Sequence, residues 1–224
     1  MLSFEDLASR LAHGQLKNTA AVEDDNLGYI CPEFVPTILS LMNQGIVDLA
    51  TRFPVFKSQV DVTFIPGQNI YPLKEAGLGT YLEDTPEEPF LDKQFVRILD
   101  LFDETGARHT VNTNGHILTP THSTLRITTA KQEELGAKIR IRYQQKPLPI
   151  DENGSVDLTP NLETALQLFV AALFISHMGS PEHSAKGDSY YGAYLRHVGE
   201  DEQKDLSSTS EVDENEKFYA RGFV

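Results

Sequence analysis

Tryptophan is absent from this 224-residue chain, cysteine occurs once and methionine three times. The lone Cys31 excludes an intrachain disulfide framework, a CxxC redox pair and a cysteine zinc cluster, and it suits a reducing compartment. Long apolar runs are missing too. The longest, residues 168–175, falls far short of the roughly 20 residues that cross a bilayer. The opening stretch MLSFEDLASRL carries acids where a secretory leader carries its basic region. Together these absences predict a soluble chain made inside the cell. Nucleotide and nucleophile motifs are also lacking. There is no P-loop, no GxSxG and no GxGxxG, since Gly77-Leu78-Gly79 has neither the third glycine nor a helix to follow.

What is present is a strong excess of acid, unevenly spread. The formal net charge is −14, from 33 acidic and 19 basic side chains. Residues 1–56 hold 7 acids and 3 bases, and residues 149–199 hold 6 and 2. Residues 57–148 are nearly balanced, with 12 acids and 11 bases, whereas residues 200–224 hold 8 and 3. Such a chain repels nucleic-acid phosphates instead of gripping them.

Hydrophobic periodicity divides the chain in the same places. Residues 3–16 predict an amphipathic helix, capped by Ser3 and striped by Phe4, Leu7, Ala8 and Leu11. A polar loop over 18–28 follows, its Asp24 and Asp25 read as solvated. A second helix begins near Pro32 or Pro36 and ends at Phe53-Pro54. Its stripe is Ile38, Leu41, Met42, Gly45, Leu49 and Phe53, with Gly45 placed for close approach of another backbone.

From residue 57 the period changes from 3.6 to 2. VDVTF (60–64) and IYPL (70–73), joined by Pro66-Gly67-Gln68-Asn69, predict a hairpin. FVRILDLFD (95–103) and ARHTV (107–111) predict a second, around a turn at Asp103-Glu104-Thr105-Gly106. Asn114-Gly115 marks another turn, and TLRITT (124–129) and AKIRIRY (137–143) read as strands. Five to seven short strands at this spacing suggest a small sandwich or barrel. After them Leu162, Ala165, Leu166, Phe169, Ala172 and Leu173 stripe a helix that is apolar nearly all round, hence buried on more than one side. Gly179-Ser180-Pro181 breaks it, and Tyr190, Tyr191, Tyr194, Leu195 and Val198 stripe a last helix. The expected class is therefore α+β. A helical bundle core from residues 1–56 and 149–199 is interrupted by an antiparallel β domain over 57–148. An acidic, Ser/Thr-rich tail over 200–224, too polar to fold alone, ends in the aromatic segment KFYARGFV.

Catalytic and metal-binding readings find little to stand on. His109, His116 and His122 lie close in sequence without an HExxH spacing, and His177 and His183 flank a helix break. Asp151-Glu152-Asn153-Gly154 has its glycine two places too early for a calcium loop and predicts a tight turn. The pairs Glu87-Glu88 and Glu133-Glu134 read as solvated charge. No catalytic residue, cofactor site or metal site is expected.

Three stretches resemble the head-to-tail adaptor (connector) proteins of tailed, short-tailed bacteriophages. They are ILSLMNQGIVDLATRFPVF running into a strand, the VTFIPGQNIYPL hairpin, and the passage from IRYQQKPLPID through VDLTPNLETALQLFVAALF, together spanning most of residues 36–178. The resemblance implies a structural virion protein, made in the host cytoplasm. It implies a ring, usually of twelve copies, between the portal ring and the tail nozzle, tail fibre or other tail proteins. DNA would pass through the channel without specific binding. The resemblance leaves the contact residues open; those expected are Tyr190, Tyr191 and Tyr194 of the last helix and Phe218, Tyr219 and Phe223 of the tail. Two other readings stand beside it. One is a carbohydrate- or receptor-binding virion module with the β domain as the binding part. The other is a metal-dependent hydrolase using His109, His116 and His122.

Overall fold

A computed structural model describes residues 1–22, 28–84, 89–113 and 115–204. It is α+β, and the chain divides into two compact units. One comprises Met1–Val55 and Pro149–Val224, the other Phe56–Leu148.

The first unit opens with strand β1 (Leu2–Ser3) and helix α1 (Phe4–His13). Ser3 caps α1 by accepting from the Asp6 amide at 3.0 Å, and its hydroxyl donates to the Asp6 carboxylate. Helix α2 (Val35–Arg52) follows a single 3-10 turn at Pro32–Phe34, so both prolines sit where a helix start tolerates them. Its predicted stripe is the buried one: Ile38, Leu41, Met42, Gly45 and Leu49 are covered.

The rest of this unit returns after residue 148. Strand β10 (Ser155–Val156) pairs antiparallel with β1, Leu2 opposite Val156. The Asp151–Gly154 segment is a tight turn in which the Asp151 carboxylate accepts from the Asn153 amide at 3.0 Å. Helix α4 (Pro160–Ser176) and helix α5 (Pro181–Lys204) run antiparallel. His197 Nε2 lies 2.9 Å from the Asn161 carbonyl, and at the other end Gly187 presses on Ser176 so closely that a Cβ there would collide with its hydroxyl. Helix α2 also runs against α4, with Phe34 edge-on to Phe174 at 5.6 Å. Gly45 makes this approach possible: a Cβ would fall 2.5 Å from Leu166 Cδ1 and 2.8 Å from Phe169 Cδ1. Helix α4 is thus enclosed by its neighbours, which is why its sequence is apolar nearly all round.

The second unit contains strands β2 (Lys57–Thr63), β3 (Ile70–Pro72), β4 (Leu82–Glu83), β5 (Phe95–Phe102), β6 (Arg108–His109), β7 (Ile117–Thr121) and β8 (Thr124–Ile127), then helix α3 (Thr129–Leu135) and strand β9 (Lys138–Gln145). Five strands form one sheet in the order β4-β2-β9-β5-β6, and three form another, β3-β8-β7. Strict alternation governs β2 and β9. Val60, Val62, Ile139, Ile141 and Tyr143 face the core, and Gln59, Asp61, Arg140 and Arg142 the other side. Both sheets and α3 contribute to one core that is rich in aromatic rings: Phe95 stacks on Tyr143 at 5.0 Å, and Phe90 meets Tyr143 edge-on at 5.5 Å.

Four expectations are corrected. The 60–64 and 70–73 strands do not pair with each other. The turn between them exists, with the Gln68 amide on the Ile65 carbonyl at 3.0 Å, but it carries the chain from one sheet to the other. Turn residues bend the backbone without choosing its partner. The strand predicted through residue 129 stops at Ile127, because Thr128 and the helix-forming run AKQEEL start α3, whose Gln132 and Leu135 turn inward. Helix α1 ends at His13 instead of residue 16. The acidic stretch after residue 199 is not wholly irregular, since α5 continues to Lys204. The rest of the tail, with Phe218, Tyr219 and Phe223, lies outside the described residues, as do Asp24, Asp25, Glu87, Glu88 and Asn114.

Candidate functional site

Helix α5 carries the three tyrosines singled out in sequence, and the fold gives each a different job. Tyr194 is fully buried, packed edge-on against Phe169 at 5.3 Å. Its hydroxyl donates a short hydrogen bond to the Asp48 carboxylate on α2. Arg52, one turn on from Asp48, donates Nε to the same carboxylate at 3.0 Å, and its guanidinium lies 6.0 Å from the Tyr194 ring. Burial, then the neighbouring Asp48 carboxylate, drives the phenol pKa far above its ordinary value, so this tyrosine remains a neutral donor. A side chain so committed is an anchor and cannot meet a partner, which corrects the expectation for Tyr194.

Tyr190 is half-buried, with the Lys186 ammonium 5.9 Å from its ring. Tyr191 is exposed, as is Leu195 one turn further on. Together they form a small apolar step on a helix that is otherwise polar outward, beside Gly192, which has open space around it. The sequence stripe thus splits into an inward line through Gly187, Tyr194 and Val198 and an outward pair, Tyr191 and Leu195.

The outward face of the five-stranded sheet is a network of ion pairs. Asp61 accepts from Arg140 Nε at 2.8 Å and Nη2 at 3.1 Å, which holds its carboxyl below the usual carboxylate range. Asp100, buried at 6% exposure, is paired by Arg142 and by Arg108 at 2.7 Å. An open groove of about 660 Å³ runs beside these pairs, bordered by Asp61, Asp103, Glu104, Lys138 and Arg140. Its acids are occupied. Asp103 is held well below its ordinary pKa by His109 and Thr105, and Glu104 accepts from the amides of Ala137 and Lys138. Asp103, so held, is not poised to take a proton near neutral pH.

The three neighbouring histidines are not gathered. His109 Nε2 lies 2.8 Å from Asp103, His116 faces Thr128 Oγ1 at 3.4 Å, and His122 is exposed. His109 and His116 do border one small cavity, but Lys131 borders it as well, and a cation there opposes a metal ion. Among the described residues no group of three or more His, Cys, Asp or Glu is arranged to hold a metal ion. His183 has a buried Nδ1 without a partner, and His177 is exposed.

The Asp48–Arg52–Tyr194 cluster is the feature that sequence reading missed. The Asp48 and Arg52 spacing of four was legible as a helical ion pair. Nothing in the sequence tied it to a tyrosine 146 positions away. Among the described residues no helix is long and apolar enough to cross a membrane. No protein-family model and no curated protein matches this chain.

Proposed function

We propose that this chain is a structural virion protein, a head-to-tail adaptor forming a ring, expected to be a dodecamer, between the portal and the tail nozzle or other tail proteins. On this reading the helical unit is a bundle that frames the DNA exit channel, and the β unit is a sandwich-like domain for outward contacts. The observation that carries the reading is helix α5, a 24-residue rod anchored inside by Tyr194 and offering Tyr191 and Leu195 outside. A rigid helix with one exposed apolar step suits subunit packing, where a few aromatic anchors dominate the energy. Charge supports it as well. The acid excess sits in the helical segments and the tail, and an acidic wall repels phosphates within the ~10 Å screening length of ordinary salt. The tail aromatics Phe218, Tyr219 and Phe223 supply a second contact to portal or neighbouring subunits.

A glycan-binding role has less support. Sugar platforms use exposed rings, and among the described residues of the β unit the large exposed hydrophobics are Ile70, Leu91, Val96 and Leu148, none of them aromatic.

The test is electron microscopy and sedimentation of the purified protein mixed with purified portal. Rings, or added density on the portal ring, are the expected result. A protein that stays monomeric with portal present at high micromolar concentration defeats the proposal. Removing residues 212–224 should weaken co-sedimentation with portal and leave the helical and β signals intact. Unchanged co-sedimentation removes the tail from the docking role.

A further inference from the structure

The first unit contains a second groove, of about 570 Å³, that the adaptor reading does not use. It falls within the ~300–1,000 Å³ typical of clefts that hold a ligand. Phe4, Ala8, Tyr29 and Val35 supply apolar surface, and Tyr29 stands 60% exposed at its edge. Glu5 and Glu152, both exposed, border it with carboxylates. The His13 imidazole lines it too, packed against Gly28, so the two carboxylates are the acidic part of a mixed wall. A partly apolar trough with two acids on its rim fits a peptide that is aromatic and basic.

The chain contains such a peptide. Residues 217–224, KFYARGFV, carry Lys217 and Arg221, three aromatic side chains and no acid, in a protein of net charge −14. This is the reverse of the acidic spacer before it, where residues 205–216 hold 5 acids and no base. The spacer is repelled by the rim while the segment beyond it is attracted. Reach allows the contact within one chain. The later part of α5 lies beside the start of α4, through His197 and Asn161. Helix α1 and the turn after it lie beside the first half of α4, through Arg10 and Glu163 at 2.9 Å and Gln15 and Gln167 at 2.7 Å. A spacer of 12 residues, extended, covers up to about 40 Å from the α5 end.

We propose that residues 217–224 dock in this groove of their own chain, aromatic side chains against Phe4, Ala8 and Tyr29, and Lys217 and Arg221 toward Glu5 and Glu152. The inference stands apart from the adaptor reading. In the free protein it shelters the tail aromatics, and any partner that takes them competes with the groove.

The full-length protein, without portal, tests it. A carbodiimide joins a lysine amine to a carboxylate in contact with it, and peptide mapping then reads the linked pair. Lys217 is expected on Glu5 or Glu152, with the link formed inside one chain when isotope-labelled and unlabelled copies are mixed. Replacing Phe218 and Phe223 by alanine in the full chain removes two aromatic anchors and should cut that yield by about tenfold or more. A second readout uses the absence of tryptophan. Tyr29→Trp introduces the sole indole, and its emission should shift to the red when Phe218 and Phe223 are replaced. Lys217 links scattered over distant carboxylates such as Glu182 and Asp188 overturn the proposal. So do links found only between copies, or yields and emission indifferent to the two substitutions.

Discussion

Tyr194 and Tyr71 are both fully buried tyrosines, one in each unit, and they show how differently the two are held together. The Tyr71 hydroxyl donates to the Gln68 carbonyl at 2.8 Å and accepts from the Ile65 amide at 3.2 Å, partners three and six residues away. Tyr194 reaches across the whole inserted unit to Asp48. The β unit is continuous in sequence, and its longer-range partners, such as Arg142 on the buried Asp100 and Gln132 on the Gln68 carbonyl, lie within that one stretch of chain. The helical unit is assembled from the two flanking parts of the chain, and it depends on long-range side-chain partners. Its loop-closure entropy must be met before those contacts contribute. Damage to it should therefore spread between its two segments, whereas damage to the β unit should stay local.

The largest effect expected is Phe169→Ala, which removes the ring packed against both Gly45 and Tyr194. It should cost about 3–5 kcal/mol. Hydrogen exchange should show lost protection in α2, α4 and α5 together and leave β2 and β9 protected. Loss confined to α4 would break the comparison, and loss in both units would merge them into one cooperative body. Gly45→Ala comes next. Alanine favours the helix by about 1 kcal/mol, but the new methyl collides with Leu166 and Phe169, and overpacking costs about 1–3 kcal/mol. The expected net is a lower denaturant midpoint for the helical unit; a raised midpoint would mean that propensity outweighs packing at this contact.

Tyr71→Phe should destabilise the β unit by about 1 kcal/mol, since it takes away the acceptor of the Ile65 amide and leaves the Gln68 carbonyl with Gln132 Nε2 alone. The signal to follow is protection of β3 and β8, with the helical unit unchanged. The smallest effect belongs to Asp61→Asn on the exposed sheet face, where pairs contribute about 0.2–1 kcal/mol. Arg140 depresses the Asp61 pKa in the folded protein. Its contribution is therefore complete above the ordinary carboxylate pKa of about 3.9 and is lost as pH falls through the depressed value. Acid titration of β-unit stability should be shallower in Asp61→Asn than in the parent protein. Equal slopes would show that Asp61 contributes nothing there.

The sequence by itself determined the local elements and their faces. The 3.6-residue stripe of α2, the all-round apolar surface of α4 and the alternation of β9 follow from side chains within a few positions of one another. The period change at residue 57 was legible for the same reason, and so was the Ser3 cap. Tertiary structure alone decided which elements meet. β2 pairs with β9 rather than with the strand after its own turn, because strand partners are chosen by the shared core and not by the intervening loop. It also sorted the α5 tyrosines, putting Tyr194 on Asp48 and leaving Tyr191 outside, since helical periodicity marks a face but not how far the neighbouring helix covers it. The groove of the helical unit lies on that level too. It is built from segments far apart in the chain, and only packing brings Glu5 and Glu152 to its rim.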